Sequence, residues 1–337
     1  MKKVSVIIPC FNATKYLPKC FMSLVQQTIG IDQIELIFVD DASTDEDATW
    51  NMLQEFERAY PESIKILKLE ENMRQGGARN VALQYATGEY IAFVDADDFV
   101  SENFLLETYE KAKESDADII QFEYFYYTDR LGAVDSGRNI TPEVIEISSV
   151  SDRKRFLISE KVTYGCWNKL YRHTLLNEAH TAYAEHVIYE EPLFVYPLLY
   201  FANKIVILND AYYYYRQNDS GTMRNDMRQE ETLKMHADVQ LAVWNFMKKT
   251  PFFKEYYDEI KLYFLHTYLY ETLYFAKLRD FKPSYAFYKE LEKTVITEVP
   301  DYDESTYSAL IPKQMELYRM IGEGMTEEKF GGYWEGL

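Results

Sequence analysis

The sequence predicts an α/β protein with a mostly parallel central sheet, followed by a helical C-terminal region. Three observations carry this. Over roughly the first 125 residues, short apolar β-branched runs alternate with stretches of helical periodicity, which is the pattern of βαβ units. Two of those runs end in acids, Asp40-Asp41 and Asp95-Ala96-Asp97-Asp98, placing carboxylates at the sheet edge where open α/β folds bind ligands. From about Glu230 onward the apolar spacing is helical to the end.

Residues 4–9 (VSVIIP) read as a buried first strand stopped by proline. Leu17, Cys20, Phe21 and Leu24 recur at helical spacing, predicting a helix to about Gln27. Residues 34–39 form the second strand, and Ser43 three residues before Glu46 has the pattern of a capping box opening the next helix. A third strand covers residues 64–69. Gly76-Gly77 introduces a helix with Ala78, Val81, Ala82 and Tyr85 inward, stopped by Gly88. Residues 90–94 are the fourth strand, and residues 118–126 a fifth after another helix. Residues 130–160 are polar and irregular, expected as a long loop or short strands. Pro192 suits the first turn of a helix with Phe194, Val195, Leu198 and Leu199 behind it. Tyr212-Tyr213-Tyr214-Tyr215 reads as a strand with one core face.

A net charge of −19 argues against nucleic acid and against a broadly basic membrane patch. No apolar run reaches 18 residues, so no membrane span is expected. Cys10, Cys20 and Cys166 lie in no paired metal spacing. With no signal peptide they point to reduced thiols in the cytoplasm. His173, His180 and His186 are scattered and read as surface or packing residues.

The chemistry gathers at the acids. Three carboxylates within residues 95–98 repel one another unless a cation sits among them, and hard divalent ions prefer oxygen ligands. An acid at the end of the second strand can accept hydrogen bonds from a nucleobase or ribose. Residues 72–80, NMRQGGARN, bring glycines to a helix start, with Arg74 and Arg79 suited to phosphate. Glu190 and Glu191 precede Pro192, with Glu191 expected at about the N-cap, and they either cap the helix or act as a base.

Residues 4–99 resemble the nucleotide-sugar binding half of a family 2 glycosyltransferase with the GT-A fold. The resemblance rests on VSVIIPCFN, IFVDDASTD and GGARNVALQYATGEYIAFVDADD, in the family's order and spacing. It extends more weakly to about residue 224 through WNKLYRHTLL, the Tyr189-Glu190-Glu191 segment and YYYYRQNDSGT. It implies that Pro9 and Phe11 line the base pocket, that Asp41 reads uracil and that Arg79 approaches the diphosphate. Asp95 and Asp97 match the DxD motif: Asp97 is the principal ligand of Mn2+ or Mg2+, Asp95 reaches ribose or metal, and Asp98 is an alternative ligand. Arg216, Ser220 and Thr222 would lie near the phosphates. Glu191 stands where the family usually has an Asp base, and Glu190 is the alternative.

The implied organisation is a GT-A domain over residues 1–229, with a donor half (1–99) and an acceptor half (100–229), and a helical region over 230–337. The implied activity is metal-dependent, inverting transfer of a hexosyl or N-acetylhexosaminyl unit from a UDP-sugar to a saccharide, polymer or lipid-linked acceptor, in cell-surface polysaccharide synthesis. Peripheral association with the inner membrane face and oligomerisation through the C-terminal helices remain open. So do two rivals. A sugar-1-phosphate nucleotidyltransferase would carry a Gly-rich loop after the first strand, where PCFNAT stands. A non-catalytic nucleotide-sugar module would account for Glu in place of Asp at 191.

Overall fold

In the computed structural model, which describes residues 2–138, 140–217 and 230–337, ten strands join in one mixed sheet. Its parallel half is β1 (Val4–Cys10), β2 (Ile34–Asp40), β3 (Ile64–Lys68) and β4 (Tyr90–Phe93), in spatial order β3-β2-β1-β4. β1 and β2 are almost wholly buried, as strands covered on both faces must be. Helices α1 (Leu17–Val25), α2 (Ala48–Ala59) and α3 (Arg74–Leu83) provide the crossovers. Leu17, Cys20, Phe21 and Leu24 of α1 face the core, and Phe21 stacks on Phe56 of α2 at 3.7 Å.

Three details of the parallel half depart from expectation, the first being that Tyr85, expected inward, is 44% exposed beyond the end of α3. The Ser43–Glu46 capping box does not form. Ser43 Oγ instead accepts the Asn12 N–H at 2.9 Å, tying the loops after β1 and β2 together. The Asp45 carboxylate takes the Thr49 N–H (3.1 Å) and hydroxyl (2.6 Å) at the start of α2. Gly88 does not stop α3, which ends at Leu83. A Cβ at Gly88 would meet the Ser5 backbone nitrogen, so glycine is required there for close approach to β1.

The sheet continues through β9 (Lys169–Arg172), antiparallel to both β4 and β6 (Ile119–Thr128). β10 (Lys204–Arg216) then runs parallel to β6, and the two-residue β5 (Phe99–Val100) closes that side antiparallel to β10. The polar stretch 130–160 resolves into β7 (Gly132–Asp135) on β6, β8 (Glu143–Glu146) on β10, and helix α5 (Val150–Leu157) capped by Ser149. Helices α4 (Phe104–Ser115), α6 (His173–Ala179) and α7 (Glu191–Phe201) complete the first of two compact units, residues 1–218.

The second unit, residues 219–337, is helical where described. It comprises α8 (Glu230–Met247), α9 (Tyr257–Leu265), a π-helical turn (His266–Glu271), α10 (Thr272–Leu278), α11 (Tyr285–Glu298), α12 (Pro312–Gly322) and α13 (Glu327–Gly336). Their apolar faces fill one another. Val239 and Val243 are buried, Trp244 stacks on Phe264 at 4.8 Å, and Tyr288 stacks on Phe330 at 4.6 Å. Among the described residues no helix is long and apolar enough to cross a membrane.

Candidate active site

The carboxyl ends of β1, β2 and β4 meet at one edge. After β1, Pro9 is part-buried and Phe11 is 47% exposed, leaving a bare aromatic ring beside polar loops. Asn12 follows in the left-handed region (φ 50°). Its side chain donates to Thr44 Oγ1 (3.2 Å) and accepts the Thr44 N–H (2.8 Å), fixing the two loops in register. At the end of β2 both acids are buried. Asp41 Oδ1 accepts the Met73 N–H at 2.7 Å, and burial pushes its carboxyl up from the ordinary value, against hydrogen bonds from Met73 and Arg74. Asp40 Oδ1 holds the Ser43 N–H at 3.1 Å, while its Oδ2 is buried with no partner among the described residues. The sequence pattern offered both acids of this pair, and the orphaned oxygen makes Asp40 as much a candidate acceptor as Asp41.

The cluster after β4 divides by role. Asp98 is buried, with Oδ2 taken by the Tyr213 hydroxyl and Oδ1 by the Arg216 N–H, each at 2.7 Å. Burial, then Asp97 and Asp95, push its carboxyl well above the usual range. Its oxygens hold β10 to the loop. Asp97 and Asp95 are the more exposed pair. Arg216 is buried under them, donating from Nε to the Asp97 carbonyl (2.7 Å) and from Nη1 to Asp129 (2.6 Å), among the rings of Tyr16, Tyr127 and Phe99. Ser220 and Thr222 lie outside the described residues.

Arg79 joins this cluster to the start of α7. Its guanidinium is 2% exposed, donating from Nη2 to Asp95 Oδ1 (2.6 Å) and from Nη1 to Glu190 Oε1 (2.5 Å). The approach depends on Gly76 in the first turn of α3, where a Cβ would meet the Ala184 carbonyl and lie 2.9 Å from Glu190 Cγ. Glu190 is the N-cap of α7 and Glu191 its first residue, so the helix begins one position earlier than the sequence suggested. Glu191 is part-buried, with Oε1 held by the Cys166 N–H at 2.9 Å. A helix start favours carboxylates, yet burial outweighs it. The Glu190 carboxyl is pushed up to about 7 by burial, against the opposing charge of Arg79. Burial also raises Glu191, with Arg79 and the Cys166 N–H opposing.

Among the described residues no group of three or more His, Cys, Asp or Glu side chains forms a ready cage for a metal ion. The donors present fit an open site nonetheless. Asp95 and Asp97 supply carboxylates whose charge adds to the burial that raises Asp98, and small divalent ions use one or two carboxylates completed by water and substrate phosphate. Lys169 is buried within the field of Glu191, which with Cys166 opposes the burial that lowers its ammonium. Its ammonium donates to Thr163, Gly165 and Asn168, and burial lowers it to about 7. His173 bonds the Gly88 carbonyl and serves the framework, while His180 is exposed at the end of α6.

The family model "Glycosyl transferase family 2" matches residues 5–179, which reach from β1 through α6. The chain belongs to glycosyl transferase family 2. Membership sets aside the nucleotidyltransferase alternative. Glycosyltransferase GlyG of Streptococcus pneumoniae serotype 4 is 31% identical over 66% of this chain and 73% of its own. Poly(ribitol-phosphate) beta-N-acetylglucosaminyltransferase TarS of Staphylococcus aureus is 30% identical over 66% of this chain but only 36% of its own length. The crystal structure of S. aureus TarS 1-349 in complex with UDP superposes with a TM-score of 0.70 at 21% identity, covering 98% of this chain and 89% of that one. The fold is therefore GT-A with a helical C-terminal region.

Proposed function

We propose that this protein transfers a sugar from a UDP-sugar to a hydroxyl of a cell-surface polymer, with inversion at the anomeric carbon. One observation carries the reading: Arg79 is ion-paired at once to Asp95 of the strand-end cluster and to Glu190 at the start of α7. The donor-side acids are thereby tied to the start of α7, where Glu190 neighbours the candidate base Glu191. The kinship with TarS, named for a poly(ribitol-phosphate) acceptor and crystallised with UDP-GlcNAc, supports a nucleotide-sugar donor and a polymeric acceptor.

In this scheme Phe11 and Pro9 flank the uracil, and Asp41 or the buried Asp40 Oδ2 accepts its N–H. Asp97 and Asp95 would hold Mn2+ or Mg2+, which when bound supplies charge stabilisation to the diphosphate. Arg216 and Tyr213 fix the backbone of that loop through Asp97 and Asp98. Arg79 serves the donor through Asp95 and keeps Glu190 in place. Glu191, the less buried of the two acids, takes the proton of the acceptor hydroxyl as its oxygen attacks the anomeric carbon. The new glycosidic C–O bond forms as the bond to the diphosphate breaks, and the electron pair leaves with UDP. Direct displacement of this kind inverts the centre.

The test is UDP release from UDP-GlcNAc and UDP-glucose with Mn2+, with and without poly(ribitol-phosphate) or a saccharide acceptor. Acceptor-dependent release with product of inverted configuration is expected. UDP binding without release from any donor would point instead to a non-catalytic module.

A further inference from the structure

The first unit carries an aromatic face that the donor chemistry leaves unused. β6 and β10 pair with Tyr213 opposite Tyr124 and Tyr215 opposite Tyr126, so the two-residue alternation of strands puts these four rings on one side of the sheet. Trp167 lies against them, 4.7 Å from Tyr213, 4.8 Å from Tyr124 and 5.3 Å from Tyr215, nearly parallel to the last at 18°. The stack begins in the core and emerges from it: Tyr213 is fully buried, Trp167, Tyr124 and Tyr215 are part-buried, and Tyr126 is 37% exposed.

Its inner end is the site itself. The Tyr213 hydroxyl holds Asp98 and accepts the Asp95 N–H, and Trp167 follows Cys166, whose N–H holds Glu191. Burial, then Asp98, Asp95, Asp97 and Glu191, push the Tyr215 phenol up, so this hydroxyl lies within the field of the acids. At the outer end the face is not simply apolar. The hydroxyls of Tyr124 and Tyr126 lie 3.4 Å apart, and the Arg138 guanidinium sits 5.8 Å from the Tyr124 ring centre. Rings edged by hydroxyls and a guanidinium suit a ligand with a C–H face and polar edges, and ligand sites commonly combine aromatic walls with a few convergent polar groups.

We propose that Trp167, Tyr215, Tyr124 and Tyr126 form the acceptor subsite, which takes a polyhydroxylated carbon skeleton, sugar ring or alditol, by its C–H face. The subsite leads the bound hydroxyl from the open end at Tyr126 toward Glu191. This rests on the glycosyltransferase reading above.

The experiment compares wild type with Tyr126→Phe, Tyr126→Leu and, as a control outside the face, the exposed Leu131→Ala. Acceptor KM is measured on a methyl pyranoside and on poly(ribitol-phosphate), separating ring from alditol as the source of the C–H face. UDP titration of each variant reports folding. For Tyr126→Leu, which keeps bulk but loses the flat ring, acceptor KM is expected to rise about tenfold on one or both acceptors with kcat nearly kept, the pattern of lost uniform binding. Tyr126→Phe retains most of the affinity, and Leu131→Ala is unchanged. Leu and Phe variants equal to wild type on both acceptors would overturn the subsite while leaving the transferase reading intact. Saturation-transfer NMR of each acceptor with the UDP-bound protein needs no turnover. An acceptor signal seen with wild type and abolished in Tyr126→Leu supports the subsite even if transfer fails. Absence of that signal in wild type overturns it.

Discussion

At the scale of single residues, the acids after β4 show how one motif divides its labour. Three carboxylates within four positions were legible as a charge cluster from sequence, but their partners were not. Asp98 is occupied by Tyr213 and Arg216, residues more than a hundred positions away, and no local pattern announces such a pairing. Arg79 was legible as a cation near a helix start, and its two-sided pairing with Asp95 and Glu190 was not. The two acids before Pro192 have separate surroundings, and these predict separate phenotypes. Glu191→Gln should lower turnover by roughly two to four orders of magnitude with donor affinity nearly kept, as for a lost general base. Glu190→Gln should act through Arg79, changing the pH profile more than it removes the chemistry. Equal loss in both variants, with donor affinity kept, would contradict this division.

The same pair predicts the sign of the pH dependence. Both carboxyls are raised by burial, Glu190 to about 7. A base must be ionised, so turnover should rise as pH climbs past the ordinary glutamate value and the raised Glu191 carboxyl loses its proton. The contribution of Glu190 to stability runs the other way: it is fully present below the ordinary glutamate value and lost as pH rises through about 7. Arg79 opposes burial at both acids, so the pH–rate profile of Arg79→Gln should have its acid limb displaced to higher pH.

At the scale of elements, periodicity and punctuation located the parallel half well because β1 to β4 are short, apolar and separated by helices of ordinary length. The Ser43–Glu46 pattern failed because Ser43 had a better use, bracing the loop after β1. Residues 130–160 were illegible because β7 and β8 are mostly exposed edge segments, whose pairing to β6 and β10 is set by tertiary context. Gly76 was visible as a glycine at a helix start, but not the neighbour it admits, the start of α7. Gly76→Ala is expected to cost about 1–3 kcal/mol through overpacking, offset by up to about 1 kcal/mol of helix propensity. The displaced Glu190 and Arg79 should depress turnover more than that stability loss would. Denaturant unfolding and kcat on the same preparation check both. Wild-type turnover in the variant would show that α3 and the 184–190 segment need not approach so closely.

At the scale of the whole molecule, the chain combines a GT-A unit with a helical unit that has a buried apolar core. Amphipathic spacing was enough to predict helices for the second unit, but which face met which was not readable: Trp244 of α8 and Phe264 of α9 stack across two separate helices. The central claim concerns the first unit, that the acids at the end of β4 bind a nucleotide diphosphate with the help of a divalent ion. Calorimetric titration of UDP, with and without Mn2+, in wild type and Asp97→Ala tests it most directly. UDP should bind wild type more tightly with Mn2+ present, and Asp97→Ala should lose that gain. Equal Mn2+ enhancement in a folded Asp97→Ala variant would contradict the account.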